Sequence, residues 1–245
     1  MKQTKAFTLI EMLVVVSLIV LLISMLLPAL GKARQAAKIT ACAANQNQIS
    51  VAQVKYLLDN DQVFPRLQNW AGLIGKRGTV GYYSASSMDV TARPLNEYVG
   101  EERDGSNVDI TECPSDLGDA FPSYNGSITS CYEFYGTSYL PQWNSSAFRV
   151  TPVYGRPGGM RSISMRRVKG SASNKLLLAD WSWHGNRPIS DPMTRWHNKG
   201  PVRQFNTLFA DGHVSYFIYP NEEIDVEYTG GSYGIAPPTP DFLWW

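Results

Sequence analysis

From Phe7 to Leu30 the chain is apolar almost without a break, interrupted by Thr8, Glu11, Ser17, Ser24 and Pro28. As a helix this stretch is about 36 Å long, enough to cross a hydrocarbon core of about 30 Å with some tilt. Pro28 removes one backbone hydrogen bond and is expected to loosen the helix. Residues 31–62 are rich in Ala, Gln and Lys, with no Pro or Gly after Gly31, so the helix should continue beyond the apolar run. There Ile39, Cys42, Ile49 and Tyr56 recur at helical spacing and predict a packing face. Asp59-Asn60-Asp61 and then Pro65 predict its end.

The pattern then changes. Residues 66–170 alternate turn signals with short strand-like runs such as Thr79–Tyr83 and Glu133–Tyr139. Lys175–Trp181 reads as a buried central strand. Phe205–Ala210 and His213–Tyr219 flank Asp211-Gly212, a hairpin signal. A two-residue type I′ turn would set Ala210 opposite His213. It would put Phe205, Thr207, Phe209, Val214, Tyr216 and Ile218 on the core face, with Leu208, His213 and Phe217 on the other. The expected fold is α+β, a long N-terminal helix against an antiparallel sheet with irregular loops. Its head spans residues 63–228, followed by a tail at 229–245 that ends in aromatics.

Composition narrows the function. The 245 residues carry a net charge of +1, which points away from a nucleic-acid partner. Of the three cysteines, Cys42, Cys113 and Cys131, none forms a C-x-x-C pair. Cys113 and Cys131 share a loop-rich region and are the candidate disulfide of an exported domain.

A carboxylate inside an apolar run is costly, and Glu11 therefore needs an explanation. Three ordinary ones exist: a signal peptide cut near Ala29-Leu30-Gly31, a lipobox at Ile39–Cys42, or a plain anchor with Glu11 reaching towards the headgroups. The order Lys5-Ala6-Phe7-Thr8-Leu9-Ile10-Glu11 before the helix, however, closely resembles the type IV prepilin and pseudopilin N-terminus. The resemblance implies a leader at residues 1–6, cut by a prepilin peptidase at Ala6–Phe7, and methylation of the new N-terminal Phe7. Ala6 departs from the family's usual Gly before the cut. The resemblance further implies that residues 7–30 form the transmembrane assembly helix, and that Glu11 pairs with the free amine of a neighbouring subunit. Pro28 matches the family's helix-loosening proline. The implied partners are the peptidase, other pilin-like subunits, an assembly platform and the inner membrane, crossed once with the head outside the cytoplasm.

Two further stretches resemble large pseudopilin-like proteins of planctomycete-type bacteria: Cys113-Pro114-Ser115-Asp116, and a His-to-Asp-Gly signature formed by His197 with Asp211-Gly212. Thirteen residues intervene in the second where nine are usual. The polar candidates for chemistry are Asp180, His184, His197, Asp211 and His213. They match no metallohydrolase or serine-hydrolase motif. The expectation is no enzyme and no required cofactor, with Asp180, His197 and Asp211 as candidates for a metal such as structural calcium. The function implied is a structural subunit of a secretion pseudopilus or pilus-like fibre. Its rivals are a membrane-anchored periplasmic ligand-binding module, for example for carbohydrate on the Trp-rich loops, and a membrane-tethered hydrolase, which would need the His and Asp candidates to converge. Trp181, Trp183 and Trp196 are a candidate contact surface, with burial in the core as the default expectation.

Overall fold

A computed structural model describes residues 8–81, 84–100, 108–123, 126–142, 153–157, 161–168, 172–183, 187, 191–198, 200 and 202–219. The chain divides into two compact units, residues 1–38 and 39–245. The first holds α1 (Leu9–Asp59) as far as Lys38, and the second holds the rest of it.

In the first unit every residue from 8 to 34 is exposed, including the Leu, Ile, Val and Met side chains of the apolar run. Among the described residues this is one helix long and apolar enough to cross a membrane. Its polar groups turn inward on the helix itself. The hydroxyls of Ser17 and Ser24 donate to the carbonyls of Val14 and Leu21, each at 2.7 Å. Hydrocarbon offers no other acceptor, so this is how such a span keeps its polar groups satisfied. The helix runs through Pro28 without interruption.

In the second unit α1 buries Cys42, Gln46, Ile49, Ser50, Ala52, Gln53 and Leu57. The face is the expected one, shifted so that Ile39 and Tyr56 lie at its margins. It ends where the Asp-Asn-Asp run predicts. Asp61 and Gln62 both take positive φ (51° and 61°), and the Gln62 amide donates to the Leu57 carbonyl at 2.8 Å. Asn60 adds a side-chain bond to the Tyr56 carbonyl at 2.9 Å. The end carbonyls are thereby satisfied without glycine.

The main sheet is antiparallel with order β5 (Tyr139–Pro141), β6 (Leu176–Asp180), β7 (Gln204–Phe209) and β8 (Val214–Ile218). As expected of a central strand, β6 is buried along its whole length. Two small antiparallel pairs lie in the middle of the chain, β1 (Gly78–Gly81) with β2 (Ser84–Met88), and β3 (Asp119–Ser123) with β4 (Gly126–Ile128). A short helix α2 (Cys131–Tyr135) occupies part of the run expected as a strand at Glu133–Tyr139. Ser130 caps it, its hydroxyl accepting from the Glu133 amide at 3.1 Å, and Gly136 closes it at φ 83°. A Cβ on Gly136 would stand 2.2 Å from the Lys76 carbonyl, so no other residue fits this stop.

The hairpin forms, but its register differs from the expected one. Leu208 pairs with Val214, and the Phe209 amide donates to the His213 carbonyl. The loop has three residues, Ala210 to Gly212, with positive φ confined to Gly212 (92°) and a Gly212 amide bond to the Phe209 carbonyl. This is a type I turn followed by a left-handed glycine rather than a type I′ turn. One extra loop residue flips β8 relative to β7. Phe205, Thr207 and Phe209 therefore share a face with Ser215 and Phe217, while Val214 and Tyr216 side with Leu208 and Asn206. Both faces of β7 are buried, so the chain tolerates either assignment there.

Lys175, immediately before β6, is fully buried, and desolvation pulls its ammonium down to about 7 from an ordinary value near 10.5. Between those two values the unfolded chain holds a proton that the folded chain has lost. Stability should therefore climb as pH rises from 7 towards 10, by at most about 1.4 kcal/mol per pH unit. Chemical denaturation across this range should show the climb in the wild type and a flatter profile in Lys175→Met.

Candidate functional site

Two groups of residues carry the functional argument, one in each unit. In the first, Ala6 and Phe7 lie outside the described residues, and the geometry starts at Thr8. The Thr8 amide and hydroxyl both donate to Glu11 Oε2 at 2.8 Å, and the Glu11 amide donates back to Thr8 Oγ1 at 3.3 Å. This is a reciprocal capping box at the start of α1. Glu11 thus has a partner within its own chain, and its negative charge sits at the positive end of the helix dipole. On sequence grounds Glu11 is expected either to reach the headgroups or to pair with a neighbour, and not to act as a cap. The Thr-x-x-Glu spacing that signals the cap was present in the same quoted stretch.

The second group forms where α1 meets the sheet within the second unit. Cys42 on α1 and Cys113 are joined by a disulfide with Cα atoms 5.2 Å apart. Cys131, the partner expected for Cys113, is a free, buried thiol, raised well above its ordinary range by desolvation. The expected pairing fails because Cys131 opens α2, with its amide bound to Asp116, whereas Cys113 faces the long helix.

His197 Nε2 lies 3.4 Å from Cys113 Sγ and 3.2 Å from Asp180 Oδ2. Asp180 is fully buried at the end of β6, where its other contacts fix it. Gln46 Nε2 donates to Oδ1 at 3.2 Å, and the Asn206 amide donates to Oδ2 at 2.9 Å. Asp180 and His197, two of the candidates named from sequence, are therefore brought together. Asp211 is not one of this group: it accepts from the His213 amide at 3.1 Å, and its Oδ1 lies 2.6 Å from His213 Nδ1. His184 lies outside the described residues. The sulfur and imidazole donors gathered here do not suit calcium, which takes oxygen ligands.

Asp116, in the Cys-Pro-Ser-Asp stretch, was not singled out as a site, yet it organises a whole segment. It accepts from the amides of Gly118, Cys131 and Tyr132 (2.7, 3.0 and 2.8 Å) and from the hydroxyl of Ser138 (2.8 Å). The stretch thus delivers one cysteine to α1 and one carboxylate to the start of α2. Nearby, buried Asp119 takes two bonds from Arg187 (2.9 and 2.6 Å) and one from Trp181 Nε1 (2.7 Å). Trp181, Trp183 and Trp196 are all buried, and each indole N–H is bound, to Asp119 and to the carbonyls of Leu140 and Gly118 respectively. They build the core and offer no exposed platform for a sugar ring.

With this geometry in place, the comparisons bear on the first unit. The prokaryotic N-terminal methylation motif matches residues 1–27. The chain is type IV prepilin-like. The match covers the capped start of α1 and its apolar run, and it implies processing by prepilin peptidase, pilin-like assembly and single-pass membrane anchoring. It is the motif of a structural subunit rather than of an enzyme. It ends at Leu27, so the C-terminal His-to-Asp-Gly signature gains no support from it. No curated protein and no solved structure matches the chain.

The cysteine assignment is directly checkable. Proteolysis of the unreduced protein should yield a linked Cys42–Cys113 peptide pair, with Cys131 alkylated once the chain is unfolded. Cys131→Ser should retain the link, while Cys42→Ser should cost about 2–5 kcal/mol in denaturant melts. A Cys113–Cys131 link would reverse the assignment.

Proposed function

We propose that this prepilin-like chain is a pseudopilin-like subunit of a type II secretion pseudopilus or type IV pilus-like fibre. Prepilin peptidase trims it at Ala6–Phe7, Phe7 is methylated, and α1 carries it into the fibre. The observation that supports this best is the match of residues 1–27 to the methylation motif, on a helix whose apolar side chains are exposed from residue 9 to residue 30. A helix exposed on every side needs lipid or like helices around it. A disulfide in the head fits a domain folded outside the reducing cytoplasm.

In this reading Glu11 has two successive roles. Before assembly it caps its own helix through Thr8, and in the fibre it also receives the ammonium of a neighbouring Phe7. The pair offsets two desolvation costs at once and selects the register of stacking.

N-terminal sequencing with mass spectrometry of the mature protein should find N-methylated Phe7 as the first residue. A start at Lys32, or an intact Met1, would rule the reading out. Glu11→Gln then separates charge from cap, because glutamine serves equally in a capping box. Incorporation into fibres should fall roughly tenfold or more in Glu11→Gln, and the shortfall should persist when Thr8 is unchanged. Undiminished incorporation would remove the ion pair from the mechanism.

A further inference from the structure

We propose that Cys42, Cys113, Asp180 and His197 form a closed zinc site when the Cys42–Cys113 disulfide is reduced. Sulfur from α1, sulfur from the loop before β3, oxygen from the end of β6 and nitrogen from the loop before β7 meet in one place. The four ligand atoms lie within 4.8 Å of one another, and all four residues are buried.

The donor set is the first argument. Two thiolates, an imidazole and a carboxylate are the ligand types of four-coordinate zinc, and a full protein shell with no access to water is that of a structural site. The distances are the second. With bonds of about 2.3 Å to sulfur and about 2.1 Å to nitrogen and oxygen, a tetrahedral ion has a sulfur–nitrogen edge of about 3.6 Å and a nitrogen–oxygen edge of about 3.4 Å. The structure places His197 Nε2 at 3.4 Å from Cys113 Sγ and 3.2 Å from Asp180 Oδ2. Those two edges are already in place, and the ion needs the two sulfurs to part.

The surroundings are the third. Gln46 and the Asn206 amide hold the Asp180 carboxylate in orientation, as outer groups do at metal sites. The Ser115 amide donates to Cys113 Sγ at 3.4 Å, a bond that favours a sulfur bearing negative charge. Without an ion, two thiolates beside a buried carboxylate would concentrate three negative charges out of water, which is untenable. Three states are therefore open to the sulfurs: disulfide, protonated dithiol, and zinc dithiolate.

The chemistry balances simply. An external dithiol gives two electrons and two protons to the Cys42–Cys113 bond and closes to its own disulfide. Zinc then displaces both thiol protons to solvent. The disulfide ties α1 to the loop before β3, and the ion would tie it to that loop and to β6, so the helix keeps a cross-link in oxidising and reducing surroundings alike.

The test uses full-length protein in detergent, reduced anaerobically with a water-soluble phosphine, which takes oxygen from water and offers no competing thiol. It is then equilibrated with buffered zinc and assayed for metal by mass spectrometry. Reduced wild type should hold about one zinc per chain, and oxidised wild type none. Cobalt in its place should give the visible bands of tetrahedral thiolate coordination. His197→Ala should lose affinity about 100-fold or more while still forming the Cys42–Cys113 disulfide on oxidation, which shows that it folds. Should that variant fail to reoxidise, Asp180→Asn decides, since its one amide oxygen still accepts from the Asn206 amide while the negative charge is lost; its affinity should fall about tenfold or more. Equal zinc in reduced wild type and the folded variant, equal zinc in the oxidised protein, or calcium uptake instead would overturn the site.

Discussion

A carboxylate with no exposure to water sits at the end of β6, and the second unit is arranged around satisfying it. Asp180 draws a side-chain amide from α1, a backbone amide from β7 and an imidazole from the loop preceding that strand. Each partner comes from a different element, so the elements must be in place together for the charge to be tolerated at all. Gln46 is the pivotal member. It spends the middle of the packing face of α1 on a polar side chain, where an aliphatic one would bury more apolar surface. In return it fixes α1 along its axis, with second bonds to the Asn206 carbonyl and from Asn206 Nδ2 to the Ile39 carbonyl. Apolar packing alone would allow a helix to slide by a turn on a sheet. Directional bonds to single atoms do not.

The same helix obeys two sets of rules. From Thr8 to Arg34 its side chains are exposed, and the Ser17 and Ser24 hydroxyls close on the backbone beneath them. Beyond that point its polar atoms reach across to other segments: Gln46 to Asp180, Ser50 to the Gly212 carbonyl, and Gln53 from the Tyr154 hydroxyl. The change from self-satisfied to cross-bonded polar groups marks where a helix stops belonging to a nonpolar solvent and starts belonging to a fold.

This division explains what could be read from the sequence. The span, the helix stop at Asp59-Asn60-Asp61 and the buried strand at Lys175–Trp181 are local matters of hydropathy and turn chemistry, and they are where the pattern put them. The hairpin was legible as a hairpin but not in register. Asp-Gly serves both the type I′ turn and the three-residue loop, and β7, buried on both faces, carries no alternation to choose between them. The cysteine pairing was not legible at all, because proximity in sequence favoured Cys131 whereas Cys42 is 71 residues from its partner. Asp180 and His197 could be named as polar candidates, but what makes them a site is a pair of sulfurs supplied by other elements. The tryptophans could be read as core or as a contact surface for a related reason. A cluster in sequence says nothing about which way the rings turn, and bonded indoles in a core look the same in a list of residues as open ones on a surface.

Glu11 shows the reverse case, a residue whose meaning was legible twice in one stretch. Its place behind Phe7 speaks for an ammonium partner, and its place three residues after Thr8 speaks for a cap. The two do not compete. A carboxylate offers about four lone-pair sites, and Thr8 occupies two of them through its amide and hydroxyl. The remaining capacity can accept an incoming amine while the cap stays closed. In the proposed fibre this matters for the order of events. A bare carboxylate would have to find its partner as soon as it entered lipid, whereas a capped one can wait, because part of its lost hydration is already replaced. Docking of a neighbour then adds a bond rather than exchanging one for another, so the selectivity of the ammonium is not weakened by the cap that precedes it.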